Sequence, residues 1–359
     1  MQNNRIQQKT LLNPPIFINT WLTYIGCVTG VLRAFGKNVD VVDVGGYSGY
    51  VFLNNATKGW IDPGSPTLHN GNVLETNPDV IALWKEMDAG IAPLGAELER
   101  VWDPKHYREG GMPLTTEERN RAMAQFAQVK ASLDDERPVM IWGMVFPEYG
   151  LAAGYTEDKY LVSTFRPYLD QQDDPIHFAD LDAKGGLDAV YFHPTRRAPT
   201  SADDRAALRR ALDLARIDRG ITFDTPTHSV PTQRYVNGLD AYEVWADTIA
   251  NATPQTASYE YLSYVIACVH EAKGLAADFL LKLAQRYPNT RQGGFLAKAS
   301  DEYRLVAREF GELTAMFPPG TVALPPQHFL QRAADTLRGM KAMEQSATDL
   351  VDIAVSIWE

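Results

Sequence analysis

Residues 137–155 read RPVMIWGMVFPEYGLAAGY, and this stretch decides the fold. Pro138 to Val145 and Gly150 to Tyr155 are short apolar runs separated by Pro147-Glu148-Tyr149. Runs of this length, bounded by Gly and Pro, predict two strands joined as a hairpin. Outward from it, Glu157-Asp158 is a turn and Tyr160 to Phe165 a third strand, while Leu187 to Phe192 reads as one more before Pro194. On the N-terminal side, Val39 to Val44 is β-branched and closed by Gly45-Gly46, which also predicts a strand.

Helices alternate with these strands. An apolar stretch ending at Gly36 predicts a buried helix that begins near Gly26–Cys27. Val80, Leu83, Trp84, Met87, Ile91 and Leu94 predict a helix over 78–100. Thr115, with Glu118 three residues on, has the form of a capping box opening a helix to about Leu133. From Ser201 the strand signals stop. Asp203 to Arg216 reads as a charged helix, and Gly220 to Asn237 as a Pro/Thr-rich connection. Three long amphipathic patterns follow over 258–286, 294–317 and 326–358. The expected class is α/β (α+β): a domain over 1–199 with a small antiparallel sheet, a helix and linker over 200–235, and an all-α helical domain over 236–359.

The 359 residues carry 34 basic and 45 acidic side chains, a net charge of -11. Affinity for nucleic acid comes mainly from Lys and Arg neutralising phosphate, so this balance argues against a nucleic-acid partner. The two cysteines, Cys27 and Cys268, form neither a disulfide framework nor a CxxC site, and the seven histidines show no metal-binding spacing. No metal and no cofactor are expected. Met1 to Thr10 lacks the apolar core of a signal peptide. Asn19, Thr20, Thr23 and Arg33 interrupt the stretch 16–35, so no membrane span and a cytoplasmic location are expected.

Cys27 is the leading candidate for chemistry, because a thiol at a helix N-terminus has a depressed pKa and the thiolate is the nucleophile. The competing reading is a small buried hydrophobe, the reading that Cys268 takes within an amphipathic stripe. Tyr47, Ser48, Trp142, Tyr149 and Tyr155 are candidate lining residues for a small-molecule pocket, or else core. DVGGYSG, 43–49, lacks both the P-loop Lys-Ser/Thr and the GxGxxG spacing. The acidic run Asp170 to Asp174 reads as a solvated turn.

Several motifs carry a resemblance. RPVMIWG (137–143) followed by EYGLAAGYTED (148–158) resembles the strand pair of papain-like bacteriocin-leader peptidases, in which an RPVI strand precedes one that starts with His and ends in GYD. GCVTGVLRAFG (26–36), GGYSGYVF (45–52) and DPGSP (62–66) resemble the butirosin-biosynthesis-H N-terminal family, as do YEVWADTI (242–249) and HEAKGLAADFLLKLA (270–284). The resemblance implies a papain-like N-terminal domain and an acyl or amide transferase, or hydrolase, of specialised metabolism. Its substrate would be a small molecule or a carrier-protein thioester, with an acyl carrier protein as partner and a homodimer among the assemblies open to it. Cys27 would be the nucleophile, with backbone N–H groups at its helix start as oxyanion hole. Glu148 stands where that family places its catalytic His, and Ser163 or Thr164 where the orienting acid would lie. His69 is then the first choice for a histidine brought in from elsewhere. The alternative is a non-catalytic binding or scaffold protein with a degenerate triad.

Overall fold

The computed structural model describes residues 8–58, 78–103, 113–145, 148–182, 186–218, 222–223, 233–253, 259–318 and 323–358. In chain order the elements are β1 (Lys9–Thr10), α1 (Thr23–Ala34), α2 (Val41–Ser48), β2 (Asn55–Lys58), α3 (Pro78–Ala89), β3 (Ala96–Asp103) and α4 (Thr116–Asp134). Then come β4 (Val139–Trp142), β5 (Tyr149–Tyr155), β6 (Lys159–Ser163), β7 (Ile176–His177), β8 (Leu187–Pro194) and α5 (Ser201–Arg216). The last are β9 (Thr222–Phe223), β10 (Gln233–Asn237), α6 (Ala241–Ala250), α7 (Tyr259–Arg286), α8 (Arg291–Met316) and α9 (Gln327–Ser356).

The chain divides into two compact units. One comprises the described residues within 1–44 and 91–198; the other comprises those within 45–68, 77–90 and 199–359. Residues 45–58 and 78–90 therefore group with the helical half rather than with the sheet.

The first unit is built on an antiparallel sheet in the order β3-β8-β4-β5-β6-β7, with β1 beside β5 where the β4 pairing ends. The predicted hairpin is present, with Trp142 opposite Tyr149 and Ile141 opposite Gly150. The connection starts earlier than the sequence suggests, because β4 ends at Trp142. Gly143 takes the left-handed conformation (φ 82°), and its N–H donates to the Glu148 carbonyl at 2.9 Å, so Tyr149 already belongs to β5. Helices cover both faces. α1 packs on one face of β5, and Phe126, Val129 and Leu133 of α4 join Val139, Ile141, Ala152 and Tyr155 in a core on the other.

Between Ala152 and Gly154 the β5–β6 register slips: two steps along β5 match one step along β6, from Val162 to Leu161. This β-bulge at Ala153 changes the parity of the strand. Strict alternation would put Tyr155 on the same face as Tyr149. After the bulge it lies with Ala152 on the α4 side.

Three sequence expectations are corrected here. Val39 to Val44 is not a strand: Val41 to Val44 open α2, and Val39 and Asp40 precede it. Asp40 and Asp43 exchange side-chain-to-backbone hydrogen bonds (3.0 and 3.2 Å), a reciprocal cap that the β-branched composition concealed. The helix expected over 78–100 ends at Ala89. A 3-10 turn with Pro93 near its start and a left-handed Gly95 (φ 107°) redirect the chain into β3, where Glu97 and Glu99 are exposed in alternation. The connection after Gly220 is not free of strands either, since β10 pairs with both β2 and β9.

The second unit has the expected helices. α5 opens with a capping box made by Thr200 and Asp203, and α6 to α9 follow to the C-terminal side. Its core includes Tyr242, Trp245, Val265, Phe310, Leu313 and Leu337. No helix among the described residues is long and apolar enough to cross a membrane.

Candidate functional site

Helix α1 positions the candidate residues of the first unit. Gly26 and Gly30, one turn apart, let the preceding segment lie directly on the helix. A Cβ at Gly26 would stand 2.5 Å from the Ile18 carbonyl oxygen, and one at Gly30 2.2 Å from that of Ile16. Thr23 and Cys27 make a second pair at this spacing and share another face. The helix begins at Thr23, so Cys27 lies in its second turn rather than at its start, and it is wholly buried.

The turn after β4 brings Glu148 to this face. The Thr23 hydroxyl donates to Glu148 Oε2 in a short hydrogen bond, and the Tyr149 N–H donates to Thr23 Oγ1 at 3.3 Å. Glu148 is itself buried. One turn further along α1, the Cys27 thiol is pushed well above its ordinary value, first by burial and then by the Glu148 charge. This reverses the expectation of a thiolate at a helix start: loss of solvent and a nearby carboxylate both favour the neutral thiol.

Tyr149 extends the cluster. Its hydroxyl donates to Asp188 Oδ2 (2.6 Å) and accepts from Arg100 Nη1 (2.7 Å), while Arg100 and Asp188 form a buried ion pair. Burial pushes the Tyr149 phenol well above its ordinary value. Its ring meets Trp142 edge-on at 5.0 Å and Tyr24 at 6.2 Å. Cys27, Glu148, Tyr149 and Trp142 are thus brought into one neighbourhood. Tyr155 is not: its hydroxyl donates to Asp134 of α4 (2.6 Å), on the far side of the sheet.

Tyr47 and Ser48 belong to the second unit. The Tyr47 hydroxyl donates to the buried Asp204 carboxylate and accepts from Arg286 at 2.9 Å. Ser48 bonds locally, donating to the Gly45 carbonyl (3.1 Å) and accepting from the Tyr50 N–H (3.2 Å). Both bond patterns tie down the end of α2. His69 lies outside the described residues, as does Pro147. The described histidines of the first unit are engaged elsewhere. His177 faces Asp158, and His193 bridges Arg137 and Glu99. Asp173 of the acidic run accepts from the Thr164 N–H at 3.0 Å and from its hydroxyl.

Sequence reasoning missed Thr23, Arg100 and Asp188. Asp188 carries a usable signal, a single acid inside the otherwise apolar run LDAVYF (187–192). Thr23 carries none until the helix start is known. No known family model matches this chain, and no curated protein matches it in sequence.

Proposed function

We propose that the first unit is a papain-like domain that binds a small metabolite or a carrier-protein segment rather than turning it over. The observation that carries this reading is the wholly buried Cys27 thiol, held neutral with the Glu148 carboxylate on the same helix face. A cysteine nucleophile needs a thiolate and access, and this site opposes both. Iodoacetamide labelling with peptide mapping tests it. Cys27 and Cys268, both buried, are expected to label slowly in the native protein and rapidly in urea. An acyl-thioester probe is expected to leave no acyl group on Cys27. Fast native labelling of Cys27 alone, together with an acyl-enzyme at that residue, would overturn the proposal.

The position of Glu148 favours a second reading, a cysteine-dependent acyltransferase. In it the Cys27 sulfur attacks a thioester carbonyl and its proton passes to Glu148. The tetrahedral intermediate then expels the donor thiolate, which takes that proton. Cys27→Ala then abolishes transfer, and Glu148→Gln lowers the rate by roughly 10²–10⁴.

A further inference from the structure

In the second unit, three long helices carry buried stripes with the same heptad spacing. On α9 the stripe runs Leu330, Ala333, Leu337, Met340, Glu344, Ala347 and Val351. On α7 it runs from Leu262 through Ile266, Val269, Lys273, Ala276 and Leu280 to Leu283, and on α8 it includes Leu296, Ala299, Tyr303, Val306, Phe310 and Leu313. A heptad stripe maps onto itself when a helix slides by seven residues, about 10 Å of rise. Apolar burial alone therefore does not distinguish the native alignment from its neighbours.

One feature of these stripes does. Lys273, near the middle of α7, and Glu344, near the middle of α9, are the charged members of their stripes, and neither side chain has any exposure. They pair at 2.7 Å. Tyr303, near the middle of α8, donates its hydroxyl to Glu344 Oε1 at 3.2 Å, and Tyr242 of α6 donates a short hydrogen bond to Oε2. Four helices thus meet at one carboxylate. A heptad slip of α9 would bury Lys273 against an apolar side chain and Glu344 without its cation, a severe cost in a dry interior. The α7–α8 link is short, 287–290, whereas the α8–α9 connection, 317–326, is longer.

We propose that the Lys273–Glu344–Tyr242–Tyr303 node is the register lock of the helical unit, retained to select one alignment of α9 and not to add stability. The inference is independent of the function proposed for the first unit. The test uses the full chain with spin labels at the exposed positions Asp278 on α7 and Ser346 on α9, read by pulsed electron resonance. Lys273→Met alone strands a buried carboxylate and is expected to lower Tm by about 10 °C. The quadruple variant Tyr242→Phe, Lys273→Met, Tyr303→Phe, Glu344→Leu leaves no polar group unpaired at the node. It is expected to regain most of that Tm and full helix content, while the single label distance splits into populations offset along α9. A quadruple variant that keeps the single native distance overturns the lock. So does one that fails to fold, because the node would then be a source of stability and not of alignment.

Discussion

At the residue scale the central fact is that burial and the Glu148 charge together hold the Cys27 thiol neutral. Removing the carboxylate charge removes one of the two causes that raise the thiol. A titration of the cysteine Cβ resonances in 13C-cysteine-labelled protein is expected to show Cys27 ionising above an ordinary thiol. In Glu148→Gln its midpoint should fall. An unchanged Cys27 midpoint would assign the whole shift to burial. The glycines of α1 give a second expectation. Gly30→Ala pushes a methyl group into the Ile16 carbonyl and should destabilise by about 1–3 kcal/mol in denaturant unfolding. Glu148, Tyr149 and Trp142 were legible together because the hairpin that joins them was legible, whereas Cys27 was set beside them only by the resemblance. Arg100 and Asp188 were not, because they meet across a β3–β8 pairing that joins distant segments of the chain.

At the element scale, legibility followed the length of the pattern. The three long helices came within a few residues of their ends, since a stripe sustained over many turns has one reading. Val39 to Val44 failed because six residues cannot separate a strand from the first turn of a helix, and there the cap decides. Caps can be tested directly. Thr200→Ala removes the acceptor for the Asp203 N–H and should cost about 1 kcal/mol, read as a shift in the unfolding midpoint. The join of β5 to α4 gives a pH signature. The Asp134 hydrogen bond, with burial, raises the Tyr155 phenol to about 12, above its unfolded value of about 10. The neutral phenol therefore contributes stability that is fully present below about pH 10 and is lost as pH rises toward 12. Tyr155→Phe should be less stable than wild type at neutral pH and should lose less on going to pH 12.

At the scale of the whole molecule, the second unit is discontinuous in sequence. Its β10 is paired by β2, and Phe279 and Tyr303 are packed by Phe52, all of it supplied by residues far ahead of α5. A fragment of residues 199–359 would leave those rings and that strand edge bare. It is expected to bind a hydrophobic dye and melt without a sharp transition, whereas the full chain should not bind the dye and should melt cooperatively. A cooperative, dye-silent fragment would mean that these segments are dispensable. Nothing in composition or periodicity announces such an arrangement, because a chain that leaves a unit and returns leaves no local mark.

The bulge at Ala153 makes β5 behave like a reading frame. Upstream of it, odd-numbered residues serve the α1 layer; downstream, the odd-numbered Tyr155 serves the α4 layer. Deleting Ala153 would remove the extra residue and leave Ala152 and Tyr155 two positions apart, so the tyrosine would stay on the α4 side with its hydroxyl toward Asp134. Conservative replacements along the strand would leave the frame intact. A single-residue gap at Ala153 would therefore do less harm than the same gap elsewhere in β5, where the bulge would remain and the frame would shift.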